Sequence, residues 1–176
     1  MARAPIKPQV RPGLFDLDDP LAEPAEAIEP DDALGQRSSR RLVIEADGGS
    51  RGNPGPAAYG ALVRDAETGE VLNCEGLGLG TATNNVAEYS ALIAGLEMAK
   101  ALDPNATVEV RMDSKLVIEQ MAGRWKVKHP DMVPLASKAQ QLRPVRTIWT
   151  WVPRELNSAA DALVNAALNG QPRRRS

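Results

Sequence analysis

The stretch from Arg41 to Pro56, RLVIEADGGSRGNPGP, constrains this chain more than any other. Leu42-Val43-Ile44-Glu45-Ala46-Asp47 is apolar enough for a central strand and delivers Asp47 into two glycines, Gly48 and Gly49, which are expected to end it. A carboxylate is thereby held at the carboxyl end of a strand. Gly52, Asn53, Pro54, Gly55 and Pro56 prolong the turn with residues that tolerate unusual backbone angles and let another backbone approach closely. Bare backbone amides beside an acid suit a phosphate and its metal. Taken without the rest of the chain, the same stretch also reads as a Gly/Pro hairpin with an incidental aspartate. A P-loop is excluded, since no Gly-Lys-Ser/Thr follows.

The remaining elements supply partners for Asp47. Ala57–Ala66 and Glu70–Leu79 flank Glu67-Thr68-Gly69, which reads as a hairpin turn, so three antiparallel strands run in sequence. Thr83 offers an N-cap hydroxyl to a helix over Asn84–Leu102, whose apolar residues Val86, Tyr89, Leu92, Ile93 and Leu96 recur at helical spacing. Thr107–Met112 alternates as a strand that stops at Asp113, a second strand ending in a carboxylate. Ser114 caps a short helix over Lys115–Met121; further helices are expected over Met132–Leu142 and Asn157–Leu168, with a strand over Thr147–Val152 between them. Strands joined through helices require parallel neighbours, whereas the first three form a meander. The reading is an α/β fold: a mixed five-stranded sheet with helices on both faces.

One domain is all that 176 residues, 43% of them hydrophobic, are expected to form. Residues 1–39 hold six of the 14 prolines and eight acids against four basic residues, and are expected to be a disordered acidic tail. The folded domain spans 40–170, and the basic residues 171–176 are expected to fray. No apolar run is long enough for a membrane span and no signal peptide is visible, so the expectation is a soluble, cytoplasmic protein, acting as a monomer. Cys74 and His129 are the sole cysteine and histidine, which excludes a Cys/His zinc cage. Residues 40–176 carry 17 basic and 15 acidic residues, a balance that permits polyanion binding once acids are set aside for a metal. Within it, Arg124-Trp125-Lys126-Val127-Lys128-His129 combines charge with an aromatic and is a candidate nucleic-acid contact; a solvated basic loop with Trp125 tucked against the core is the alternative.

Four acids occupy comparable places: Asp47 and Asp113 at strand ends, Glu88 in the first turns of a helix and Asp161 near the start of the last one. Four ionised carboxylates share a small site only if cations neutralise them, and hard oxygen donors select magnesium or manganese. Two such ions are the usual apparatus for displacement at phosphorus.

The strings DGGSRGNPGP from Asp47, TNNVAEY from Thr83, DSKLVIEQ from Asp113 and VPRELNSAAD from Val152 occur in this order. Through them the segment from Leu42 to about Gly170 resembles ribonuclease H type 1, particularly its compact archaeal and bacterial variants. The resemblance implies a metal-dependent endonuclease that hydrolyses the RNA strand of RNA/DNA hybrids, leaving 3′-hydroxyl and 5′-phosphate ends; double-stranded RNA is a second duplex to test. It implies two Mg2+ ions, replaceable by Mn2+, on Asp47, Glu88, Asp113 and Asp161. It further implies that backbone at Gly48 and Gly49, with Asn84 and Asn85, grips the RNA strand's 2′-hydroxyls. Asn53 and Thr83 fall at the family's DNA-phosphate pocket, and Asn157 at a position that orients the metal-side loop.

Three departures stand out. Many members carry a mobile histidine before the last helix, where this chain has Trp151-Val152-Pro153-Arg154, leaving Arg154 as the nearest candidate. Lys115 replaces a glutamine of the best-known members. The long basic handle is missing, so Trp125 and Lys126 are left as hybrid contacts. Integrases and transposases share this fold and a carboxylate site but lack the TNNVAEY and DGGSRGNPG strings; a non-catalytic hybrid-binding module would have lost one of the four acids, and none is lost.

Overall fold

The computed structural model describes residues 40–176; the expected acidic tail, 1–39, lies outside the described residues. Strands β1 (Arg41–Ser50), β2 (Gly55–Asp65) and β3 (Val71–Ala82) form the meander. Helix α1 (Asn84–Leu102), β4 (Thr107–Met112), α2 (Lys115–Met121), α3 (Met132–Leu142), β5 (Thr147–Trp151) and α4 (Ser158–Leu168) follow, with one 3-10 turn at Arg154–Leu156. The sheet order is β3-β2-β1-β4-β5, with β1 antiparallel to β2 and parallel to β4. This is the mixed sheet expected from the order of elements.

The helices begin and end where local chemistry places them. Thr83 accepts the Val86 N–H at 3.3 Å and Ser114 accepts the Val117 N–H at 3.4 Å, each using one of the orphan donors of a helix start. Helix α1 is buried on more than one side, because it lies on β1 and β2 and is itself covered by α3. Its Tyr89, Leu92, Leu96 and Met98 join Leu42, Ile44, Val108, Val110 and Met112 in the main core.

Two expectations about backbone are corrected. Gly48 and Gly49 do not end β1: they pair with Tyr59 and Ala58, and the strand continues to Ser50. Alternation along the strand explains why both are glycine. A Cβ on Gly48 would lie 2.1 Å from the carbonyl carbon of Ala87 in α1, and one on Gly49 would lie 3.1 Å from Val164 in α4. The two helices therefore sit on opposite faces of the sheet.

The second correction concerns residues 171–176, which are not frayed. Gly76 and Arg173 exchange backbone hydrogen bonds of 2.7 and 2.8 Å, so the chain end adds a bridge to the free edge of β3. Arg175 then reaches Glu75, a carboxylate only 6% exposed that also accepts the Tyr59 hydroxyl at 2.6 Å, and Glu97 on α1. A buried carboxylate needs such partners, and the sheet edge supplies the backbone groups that hold the arginine there.

Candidate active site

Strand register brings the first two acids together. Glu45 pairs with Arg111 in the parallel β1–β4 ladder, so Asp47 and Asp113, each two residues further on, come level on neighbouring segments of the sheet. The absent side chain of Gly48 lets the first turns of α1, with Glu88, approach β1 on one face. On the other face Gly60, the cross-strand partner of Asp47, does the same for α4: a Cβ there would lie 2.5 Å from the Ala160 carbonyl oxygen. Asp161 is thereby carried to the same end of the sheet. All four acids line one open cleft of about 320 Å³, together with Gly48, Gly49, Asn84 and Arg154.

Hydrogen bonds hold each carboxylate differently. Glu88 accepts Asn84 Nδ2 at 2.8 Å on Oε1 and the Ser114 hydroxyl at 2.5 Å on Oε2. Asp113 accepts Asn157 Nδ2 at 3.0 Å, and the same nitrogen donates at 2.9 Å to the carbonyl of Ala46. Asn157, 1% exposed, thus ties the end of β1 to Asp113, and its amide orientation is set because turning it over would face oxygen to oxygen. Asp161 is occupied on both oxygens, by Arg154 at 3.0 Å and by Asn165 one helical turn later at 2.9 Å.

The electrostatics of the cleft follow from this crowding. Burial, then the charges of Asp113 and Asp161, push the Asp47 carboxyl up to about 7, against the pull of a hydrogen bond from the Gly48 N–H. Burial and Asp113 also raise Glu88, opposed by its bonds from Ser114 and Asn84. Such a site gains from added positive charge. Its donor set, carboxylate oxygen without sulfur or imidazole, fits Mg2+ or Mn2+. Among the described residues no three acidic side chains are gathered tightly enough to grip one ion as they stand, and Asp161 engages Arg154 and Asn165.

The other residues singled out from sequence divide into groups. Asn53, Thr83 and Asn85 line a second cavity beside the start of α1. Lys115, Trp125 and Lys126 are exposed and line neither cavity; Trp125, 47% exposed, is not tucked against the core. Three contributors were not singled out. Ser114 was read only as a cap, yet it holds Glu88. Arg51 lines the cleft and donates to Leu168 O and Asn169 Oδ1 at the end of α4. Asn165 was legible only in its spacing of four from Asp161.

A family profile described as reverse transcriptase-like matches residues 45–167. The bifunctional protein Rv2228c of Mycobacterium tuberculosis is 55% identical over 131 residues, 73% of this chain and 36% of that protein. Its N-terminal RNase H domain, solved as a fusion with maltose-binding protein, superposes with a TM-score of 0.72 at 55% identity, over 76% of this chain and 96% of the solved one. RNase H1 of the archaeon Halobacterium salinarum superposes with a TM-score of 0.70 at 42% identity, over 74% and 98%.

The chain belongs to the ribonuclease H family.

LC11-RNase H1, solved in complex with an RNA/DNA hybrid, gives a TM-score of 0.70 at 40% identity over 74% of this chain and 98% of its own. In this member of the family the cleft is lined by four acids, Asp47, Glu88, Asp113 and Asp161. It spans about a third of the length of the Mycobacterium relative.

Proposed function

We propose that the protein is an endonuclease that hydrolyses the RNA strand of RNA/DNA hybrids, leaving 3′-hydroxyl and 5′-phosphate ends, and that it works as a cytoplasmic monomer. The observation that carries this reading is the single cleft in which Asp47, Glu88, Asp113 and Asp161 meet bare glycine backbone and Asn84. Held by these carboxylates, two divalent cations, Mg2+ or Mn2+, would supply the Lewis acidity that activates the attacking water and stabilises the leaving oxygen.

The chain's own residues prepare the rest. Asn157 fixes Asp113, while Asn84 and Ser114 fix Glu88, so these two carboxylates are held in the cleft before substrate arrives. Gly48 and Gly49 let the RNA strand approach their backbone, and Asn84 and Asn85 can bond its 2′-hydroxyls, the group that separates RNA from DNA. Arg154, 75% exposed, is free to swing from Asp161 toward the phosphate. A guanidinium does not trade protons near neutral pH, so its part is to offset charge as the leaving group departs. No histidine lines the cleft among the described residues, which leaves proton movement to water.

Incubating the purified chain with Mg2+ and an RNA/DNA hybrid, a duplex RNA or a duplex DNA tests the reading. Cleavage of the hybrid's RNA strand alone, with 5′-phosphorylated products and suppression by chelator, is expected. Cleavage of duplex DNA at a comparable rate, or cleavage indifferent to chelator, would refute it.

A further inference from the structure

Helix α2 buries Val117, Ile118 and Met121, and among them it also buries an amide: Gln120 is 7% exposed. Facing it from α1 is Tyr89, fully buried, with its hydroxyl donating to Gln120 Oε1 at 2.7 Å. A phenylalanine and a leucine would fill these two places without burying a polar atom, so the reason for a polar pair lies at the other end of the amide. Gln120 Nε2 donates at 3.3 Å to the carbonyl of Lys126. That carbonyl fixes which way round the amide sits, since turned over it would set oxygen against oxygen.

The bond reaches a stretch with little else to hold it. Residues 123–130 form no helix or strand, and Gly123 opens them at a φ of 78°. At one end the N–H groups of Arg124 and Trp125 donate to the Glu119 carbonyl at 3.0 and 3.1 Å; at the other the His129 carbonyl accepts from Met132 and Val133 at 3.0 and 3.1 Å. Between these anchors, among the described residues, Gln120 supplies the hydrogen bond to the rest of the domain, and Val127 packs against the core. Trp125, Lys126 and Lys128 are exposed. Arg124 is ion-paired with Glu119, whereas Lys126 and Lys128 have no acidic partner among the described residues. An exposed indole beside unpaired cations suits a nucleic-acid strand, by stacking and by charge.

Tyr89 follows Glu88 in sequence, so the tie begins in the turn of α1 that carries a cleft acid and ends in the loop that carries Trp125 and Lys126. We propose that Tyr89 and Gln120 are positioning residues: through the Lys126 carbonyl they hold residues 124–128 at a set place relative to the cleft, where the loop grips the hybrid. The inference rests on the hybrid-hydrolase reading and adds two residues that touch neither the substrate nor the reacting atoms.

Gln120→Leu in the full chain frees the Lys126 carbonyl and should raise KM and the hybrid Kd about fivefold, with kcat within about twofold. It also strands the Tyr89 hydroxyl in the core, so Tm falls as well. Combining it with Tyr89→Phe separates the two effects. With both polar groups gone the core is apolar throughout, and Tm should return to within about 2 °C of wild type. KM should stay about fivefold raised, because the loop is still untied. A KM that recovers along with Tm would mean that the pair only stabilises the fold, and would overturn the inference.

Trp125→Ala gives a second check. It should raise KM by itself, and Gln120→Leu added to it should raise KM little further, because both act through one loop. Additive increases, or a Trp125→Ala variant with wild-type KM, would overturn the assignment while hybrid cleavage by the wild type stands. A wild-type chain that neither binds nor cuts hybrid in Mg2+ would overturn the hydrolase reading and this inference with it.

Discussion

At the scale of single residues, the cleft is a balance between crowded carboxylates and the donors that restrain them. Asp47→Asn or Asp113→Asn removes a charge the cations require, so hydrolysis should fall by about a hundredfold or more while hybrid binding persists. Near-wild-type cutting in Mg2+ by either variant would show the site to be misassigned. The raised Asp47 carboxyl gives a pH dependence whose sign is fixed. Its native value, about 7, lies above the unfolded value of 3.8, so the native state binds the proton more tightly and the metal-free protein loses stability as pH rises between these limits. In metal-free buffer, Tm should fall from pH 4 to pH 7 by more in the wild type than in Asp47→Asn, as a calorimetric pH series would show. Arg154→Ala should lower kcat roughly tenfold, as for the loss of one charge-stabilising donor, and a kcat within twofold of wild type would remove it from the chemistry.

At the scale of elements, the site depends on how closely helices reach the sheet. Gly48 and Gly49 are neighbours in one strand with different tolerances. An added Cβ at Gly48 meets rigid helix backbone at 2.1 Å, whereas at Gly49 it meets one methyl of Val164 at 3.1 Å. Gly48→Ala should therefore lift α1 and Glu88 from β1, lowering Tm by many degrees and abolishing cleavage; Gly49→Ala should cost no more than about 1 kcal/mol. Equal effects in thermal melts would mean that α1 can yield at its start. Side-chain caps set the starts of α1 and α2 locally, and α1, α2 and α3 occupy the residues expected of them. Strand ends behaved differently. β3 runs to Ala82, beyond the expected Leu79, because Gly55 and Pro56 of β2 extend to pair with it.

At the scale of the whole molecule, the two chain ends should contribute unequally. Deleting 1–39, the acidic segment whose composition argues against a packed core, should leave Tm and hybrid cleavage nearly unchanged. Removing 171–176 strips Arg175 from Glu75, a carboxylate 6% exposed in the intact protein, and leaves the Tyr59 hydroxyl as its side-chain partner. The arginine is 36% exposed, which discounts the pair to about 2 kcal/mol, or several degrees in Tm. Calorimetry on both truncations checks the contrast, and an unchanged Tm without 171–176 would make the edge bridge dispensable.

Sequence alone determined the fold class and the four acids of the cleft, because each signal is local. An apolar run ends in Asp47, an alternating run ends in Asp113, and Glu88 and Asp161 lie in the first turns of helices whose starts are marked in the sequence. Cap, period and turn chemistry act over a few residues and can be read along the chain. Tertiary structure decided what depends on groups far apart in sequence. Gly48 and Gly49 read as a stop, and only pairing with Tyr59 and Ala58 makes them strand; their missing side chains serve helices that sequence order does not place. Arg175 meets Glu75 across 100 residues, and a terminal basic run carries no mark of a buried carboxylate waiting for it. His129 reaches the Asn53–Thr83 cavity only because α3 packs over α1. Local sequence chooses elements and their chemistry, whereas which donor finds which carboxylate is settled by packing, whose terms are sums over contacts that no short window contains.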